Sequence, residues 1–162
     1  MKKIVLFSIG ILFGTNIIAQ KISADNVPVE VKSTFTHKYS TAQKVKWQLD
    51  YENYEAEFNF LNTDMSALFD KDGNWLETHH FIKSSELPKE IKDSLSKHFG
   101  TLLSMYKIDD VEKVESKDKD LFYKLEVEKG ENTYYMMLSE KGETLKKDLI
   151  EKEDETPAKG KK

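Results

Sequence analysis

The chain has 162 residues with 25 basic and 29 acidic side chains, a formal charge of −4 and no cysteine. Every basic residue is lysine; an acidic balance without arginine argues against nucleic acid, anionic membrane surfaces and bidentate phosphate recognition, and the missing cysteine excludes disulfides, thiolate metal centres and cysteine nucleophiles. With 33% charged and 11% aromatic residues, the composition is too aromatic for a wholly disordered chain, and its length suits one compact domain or two small units sharing a core.

Residues 1–19 have the layout of a secretory signal. Lys2 and Lys3 form the positive start, residues 4–14 are apolar, Thr15-Asn16 is a short polar break, and Ala19 is the small residue before Gln20. The apolar run is shorter than the roughly 20 residues needed to span a bilayer. Cleavage near Ala19/Gln20 is therefore expected, with no membrane anchor left, and the lack of cysteine forbids lipid attachment. The Lys-Lys start reads as bacterial, which predicts a periplasmic or secreted protein.

The next signal is an internal repeat. Val27-Pro28-x2-Val31-x3-Phe35-x3-Tyr39 lines up with Leu87-Pro88-x2-Ile91-x3-Leu95-x3-Phe99 at an offset of 60. Apolar residues four apart share one side of a helix, so each stretch predicts an amphipathic helix of about three turns. Pro28 and Pro88 are placed in the first helical turn, where a missing N–H costs nothing. Further on, Tyr54-Glu55-Ala56-Glu57-Phe58 matches Tyr123-Lys124-Leu125-Glu126-Val127, and Gly73-Asn74-Trp75-Leu76 matches Gly142-Glu143-Thr144-Leu145, both at an offset of 69. The change in offset puts an insertion in the second copy near residues 100–110.

Alternating segments follow each helix. Val45, Trp47 and Leu49, then Tyr54, Ala56, Phe58 and Phe60, alternate with polar residues, as strands with one buried and one wet face do. Residues 65–69 and 74–79 complete four strands; residues 111–115, 121–129, 133–139 and 143–150 repeat them. Asp70-Lys71-Asp72-Gly73-Asn74 and Lys129-Gly130-Glu131-Asn132 read as hairpin turns in which glycine supplies positive φ. The fold class expected is α+β, built from two tandem units of a helix and a four-stranded antiparallel sheet, at residues 20–82 and 83–150. The two sheets can remain separate or pair edges into a continuous one. Residues 151–162 form a charged, aperiodic tail, expected to be disordered.

Chemical motifs are sparse. Asp70-x-Asp72-Gly73-Asn74 places glycine fourth where a calcium loop needs it sixth, and Phe81 stands where the bidentate Glu belongs, which favours a hairpin turn. His79 and His80 are strand neighbours aimed at opposite faces and are poorly placed to share an ion; with His37 and His98 they read as ordinary surface histidines. Glu55 with Glu57, and Glu126 with Glu128, lie two apart on wet strand faces beside lysines and read as solvated. No nucleophile motif or glycine-rich phosphate cradle is present, so neither catalytic residues, nor a cofactor, nor metal ligands are assigned. What stands out is apolar character on the parity that should be wet: Phe122, Tyr135 and Met137 beside Lys124 and Glu126. Aromatics and methionine among charges suit a protein-binding patch; packing against the other unit or under the insertion is the alternative.

Three stretches carry a family likeness: Leu87-Pro88-x2-Ile91-x6-His98-Phe99, the strand Tyr54-x-Ala56-Glu57-Phe58, and Leu68-Phe69-Asp70-x2-Gly73-Asn74-Trp75-Leu76. Over residues 27–150, twice, the pattern resembles the PepSY-like, beta-lactamase-inhibitor-protein-like family of exported bacterial proteins. The resemblance implies a non-enzymatic binding module that engages a periplasmic or secreted protein, inhibition being one form of that binding, through the exposed sheet face. The alternative is an envelope protein that takes a small ligand or metal between its units.

Overall fold

The computed structural model describes residues 20–101, 105–117 and 121–150. The expected signal and charged tail, and residues 102–104 of the expected insertion, lie outside these. Two α-helices are present among the described residues, α1 (Val29–Lys38) and α2 (Lys89–Phe99). Pro28 and Pro88 sit one position earlier than expected, as extended N-cap residues with φ of −53° and −58°. Their carbonyls accept the first helical bonds, from the amides of Lys32 and Lys92 at 3.1 Å each. No helix among the described residues is long and apolar enough to cross a membrane.

The strands are β1 (Gln20–Ile22), β2 (Gln43–Asp50), β3 (Asn53–Phe60), β4 (Thr63–Phe69), β5 (Trp75–Ile82), β6 (Lys107–Ser116), β7 (Phe122–Lys129), β8 (Asn132–Ser139) and β9 (Thr144–Ile150). Among the described residues they form one nine-stranded antiparallel sheet in sequence order. Eight of them match the expected strands within a few residues. The structure departs from two separate four-stranded sheets, because β5 pairs β6 from Glu77↔Ser116 to Ile82↔Val111. That pairing removes two sheet edges, whose backbone groups would otherwise need water or another chain. The strand β1 has no counterpart among the expected strands. It adds three residues beside β2, from Gln20↔Leu49 to Ile22↔Trp47. Part of the expected insertion lengthens β6, whose Lys107, Ile108 and Asp109 pair with Glu128, Val127 and Glu126.

Both helices pack on one face, over two apolar clusters. Val31, Phe35 and Tyr39 lie on Trp47, Ala56, Phe58, Met65, Ala67 and Phe69. Ile91, Leu95 and Phe99 lie on Tyr123, Leu125, Val127, Met136 and Leu138. Phe35 is the hub of the first cluster, its ring 5.0 Å from Phe58 and 5.2 Å from Trp47, both edge to face. Burying each such side chain stabilises the fold by about 1.5–3 kcal/mol, which is what a chain without disulfides depends on. The insertion also feeds this core: Tyr106 is buried, its ring 5.7 Å from Phe99.

Candidate functional site

With both helices on one side, alternate residues of each strand line the opposite, open face. Near its middle β5 supplies Glu77 and His79, β6 supplies Glu112 and Val114, β7 supplies Phe122, Lys124 and Glu126, and β8 supplies Tyr135 and Met137. The pairs His79↔Val114, Val114↔Phe122, Glu112↔Lys124, Lys124↔Met137 and Glu126↔Tyr135 make these a contiguous patch. Phe122, Lys124, Glu126, Tyr135 and Met137 therefore share one face. Tyr135, Met137, Lys124 and Glu126 are half-buried. Phe122 differs from expectation, being only 3% exposed on a face that no helix covers among the described residues. Val114, its cross-strand neighbour, and Ser66 on β4 are buried on the same face. Short side chains at the middle of this face are thus shielded by the longer ones around them.

A polar network occupies the centre of the patch. His79 Nδ1 lies 2.8 Å from Glu112 Oε2 and His79 Nε2 lies 3.0 Å from Glu77 Oε2. Lys124 Nζ is 3.6 Å from the same Glu77 oxygen. Burial opposes charge on His79, but the two carboxylates outweigh it and hold the imidazole above its ordinary range. The His79 hydrogen bond in turn draws the Glu77 carboxyl down. Around them, burial raises Glu126, helped by Asp110, Asp109, Glu112 and Glu128. Burial, with Glu112, Glu77, Asp148 and Glu126, pushes the Tyr135 hydroxyl up to about 12, so it remains a neutral donor at physiological pH. His79 is therefore no ordinary surface histidine, and Glu77, His79 and Glu112 are the site residues the sequence did not single out. Glu77 and His79 share strand parity, but their meeting with Glu112 depends on β5 pairing with β6.

The helix-side face carries a smaller feature. A cavity of about 250 Å³ opens between the end of α1, the β3–β4 turn and the β5–β6 pair, lined by Lys38, Tyr39, Phe60, Leu61, Thr63, Met65, Thr78, His80 and Glu115. The Tyr39 hydroxyl is hydrogen-bonded to Thr78 Oγ1, which also accepts the Trp75 indole N–H at 2.8 Å. His80 Nε2 stands 3.5 Å from Glu115 Oε1, and burial lowers its pKa. His79 and His80 do point to opposite faces. Among the described residues no group of three or more His, Asp or Glu side chains is arranged to hold a metal. The Asp70–Asn74 segment is the expected turn: Asp70 Oδ1 accepts the amides of Asp72 and Asn74 at 2.9 Å each.

No curated protein matches the chain. Solved structures do: one described as a "putative periplasmic" protein from Bacteroides eggerthii has a TM-score of 0.69 at 21% identity, covering 76% of this chain and 89% of that one. A BLIP-like protein from Bacteroides fragilis superposes with a TM-score of 0.67 at 22% identity, covering 78% of this chain and 89% of its own. A DUF2874 family protein from Bacteroides uniformis gives 0.69 at 20% identity, with 76% and 89% covered. Identities near one fifth establish a common fold only, that of BLIP-like proteins. The sequence itself matches the family described as "Putative beta-lactamase-inhibitor-like, PepSY-like" over residues 15–67 and again over 52–146. These matches take in most of the chain, both helices and all but the end of the sheet, and the chain belongs to the PepSY-like, beta-lactamase-inhibitor-like family.

Proposed function

We propose that this chain is an exported, non-catalytic binding module that engages a protein partner through the open face of its sheet. The observation that carries the reading is the patch around Tyr135 and Met137: half-buried apolar side chains flanking the Glu77–His79–Glu112–Lys124 network on a face that no helix covers among the described residues. Aromatic and methionine side chains next to fixed charges supply contact area and register together. Residues 20–82 and 83–150 are read as two copies of one unit, supported by matching helix–turn contacts, Glu30 with Gly73 and Glu90 with Gly142. The signal layout of residues 1–19 supports export, as does the periplasmic description of the Bacteroides eggerthii neighbour.

The test is affinity capture from envelope extract with the wild type and with the Tyr135→Lys/Met137→Lys variant, after circular dichroism shows the variant folded. Phe122 is left alone because its burial would confound the result. The variant should lose the protein that the wild type retains; equal retention by both overturns the assignment of this face.

A second reading, a small ligand held near the junction of the halves, is favoured by the cavity at Tyr39, His80 and Glu115. Titration calorimetry of the purified protein against envelope metabolites and divalent metals distinguishes it: saturable binding abolished by Glu115→Gln supports this reading, and no heat for any compound removes it.

A further inference from the structure

One carboxylate on the open face lacks the counter-charge its position calls for. Glu126 on β7 stands in a cross-strand row with Asp109 on β6, Tyr135 on β8 and Asp148 on β9. Directly opposed side chains have β-carbons about 4.5–5.5 Å apart, and like charges so placed repel. The lysines that β6, β7 and β9 put on this face are engaged elsewhere: Lys107 with Asp109 and Glu128, Lys124 with Glu77, Lys146 with Asp148. Among the described residues Glu126 has no ion pair. Its half-burial opposes ionisation, and so do Asp110, Asp109, Glu112 and Glu128. The matching position in the first half is balanced. Glu57, 69 residues earlier, lies on the same face through its pairing with Ser66, and the residue directly opposite it on β2 is Lys46. Burial and Glu55 oppose the Glu57 charge, while Lys46 and Lys21 favour it. At Glu126 the place of that lysine is taken by Asp109.

We propose that the protein engaged by the open face presents a basic side chain, lysine or arginine, that seats between Glu126 and the Tyr135 ring. This rests on the open face being a protein-binding surface, and it names the chemistry of the partner. Charge complementarity selects a cation: a carboxylate without a counter-ion, flanked by further carboxylates, attracts one and repels an acidic surface. The aromatic ring adds a second attraction of the same sign, since its face is electronegative. Tyr135 already shows this affinity, with Lys146 Nζ 5.6 Å from its centroid. Lys146 reaches the ring from β9, whereas Glu126 flanks it on β7. Met137 and the ring give apolar surface against which the stem of a lysine or arginine packs. Within the chain alone, the opposition of Glu126 and Asp109 only destabilises the sheet; a partner's cation converts it into binding.

NMR titration of the isotope-labelled protein with hexalysine, and separately with hexaglutamate, tests this at low ionic strength. Hexalysine should shift the Glu126 and Tyr135 signals saturably, and hexaglutamate should not. Glu126→Gln should weaken hexalysine binding at least about threefold, whereas Glu52→Gln, on the exposed β2–β3 turn, should leave it unchanged. Glu126→Gln should also raise the urea midpoint, because it removes the like-charge opposition; a glutamate kept for the fold alone would lower it. Shifts spread evenly over all acidic residues, equal binding of hexaglutamate, or equal losses in the two variants overturns the proposal. Envelope capture separates it from the assignment of the face. A protein lost by Tyr135→Lys/Met137→Lys but retained in full by Glu126→Gln overturns the basic partner and leaves the face standing, while retention by both variants overturns the two together.

Discussion

Gly142 lies directly against the backbone of Glu90 in the first turn of α2: a β-carbon built on it would stand 2.5 Å from the Glu90 carbonyl oxygen. Gly73 has the same relation to Glu30 in α1, at 2.7 Å from its carbonyl carbon. Both have positive φ, 82° at Gly73 and 79° at Gly142, so each makes the turn and also lets a helix dock on it. Gly130 separates the two roles, because it has φ 62° and nothing within 4 Å of a β-carbon. Gly130→Ala should cost about 1 kcal/mol, the backbone preference alone. Gly73→Ala and Gly142→Ala should each cost about 2–4 kcal/mol, because the helix start must also move. Urea unfolding of the three variants checks the difference, and equal costs would remove the docking role.

A second contact ties α1 to the sheet near the junction of its halves. Tyr39 and Thr78 are 5% and 1% exposed, and the hydroxyl of one bonds the hydroxyl of the other. Burial, partly offset by the Thr78 bond, pushes the Tyr39 hydroxyl up to about 12, so it stays protonated. Thr78→Val leaves both the Tyr39 hydroxyl and the Trp75 indole N–H without this acceptor, and should cost about 2–4 kcal/mol. Tyr39→Phe leaves Thr78 its bond from Trp75 and should cost about 1 kcal/mol. Because the two share a bond, the double variant should be less destabilised than the two single costs combined, a cycle read by chemical denaturation; strict additivity would deny the bond any net value.

These contacts show what the sequence makes legible. Phe35, Phe58 and Phe69 can be assigned to a core because helical spacing and strand alternation are local patterns. Gly73 and Gly142 are legible as turn glycines, but not as docking points, since Glu30 and Glu90 are far away in the chain. The same limit hides His79. Its partner Glu112 is separated from it by 33 residues, and only the β5–β6 pairing brings them together. Phe122 shows a different limit: parity places it on the open face, but its 3% exposure is decided by side chains on neighbouring strands. The strand β1 has just three residues and no alternation to read; the vacant edge of β2 recruits it.

The adjacent histidines should titrate apart. His79 is held above its ordinary range by Glu112 and Glu77 against the cost of burial, whereas burial lowers His80. In an unfolded chain both titrate near 6.5. The raised His79 contributes stability that is full below about 6.5 and fades as pH rises through its folded value; the lowered His80 has the opposite sign, costing stability as pH falls below about 6.5. NMR titration of the imidazole signals should find His79 half-protonated above 6.5 and His80 below it. His79→Ala leaves Glu77 and Glu112 without the imidazole between them, and should destabilise by about 1–3 kcal/mol at neutral pH. That loss should shrink at alkaline pH, where the wild-type imidazole is itself neutral. A loss constant from pH 6 to 9 would show that His79 acts by packing alone.

The β3–β4 turn stores strain that one substitution should release. Leu61 and Asn62 both have positive φ, 51° and 64°, the arrangement of a two-residue hairpin turn normally built from asparagine and glycine. Asn62 tolerates this conformation, but Leu61 does not, because its β-carbon crowds the following carbonyl at a cost of about 1–2 kcal/mol. At 77% exposure, the leucine recovers little of that through packing. Leu61→Gly removes the crowding while adding freedom to the unfolded chain, so the net gain should be about 0.5–1 kcal/mol, and Leu61→Asn should gain by a comparable route. Both should raise the thermal midpoint by a few degrees in calorimetry. Leu61 also lines the cavity beside Tyr39 and His80, so a turn kept strained in order to hold an apolar wall there would show a second signature. Ligand binding in that cavity should weaken as stability rises. A variant that is more stable and binds equally well would leave the strain without a role, while a variant that is less stable would show that the leucine packs more than its exposure suggests.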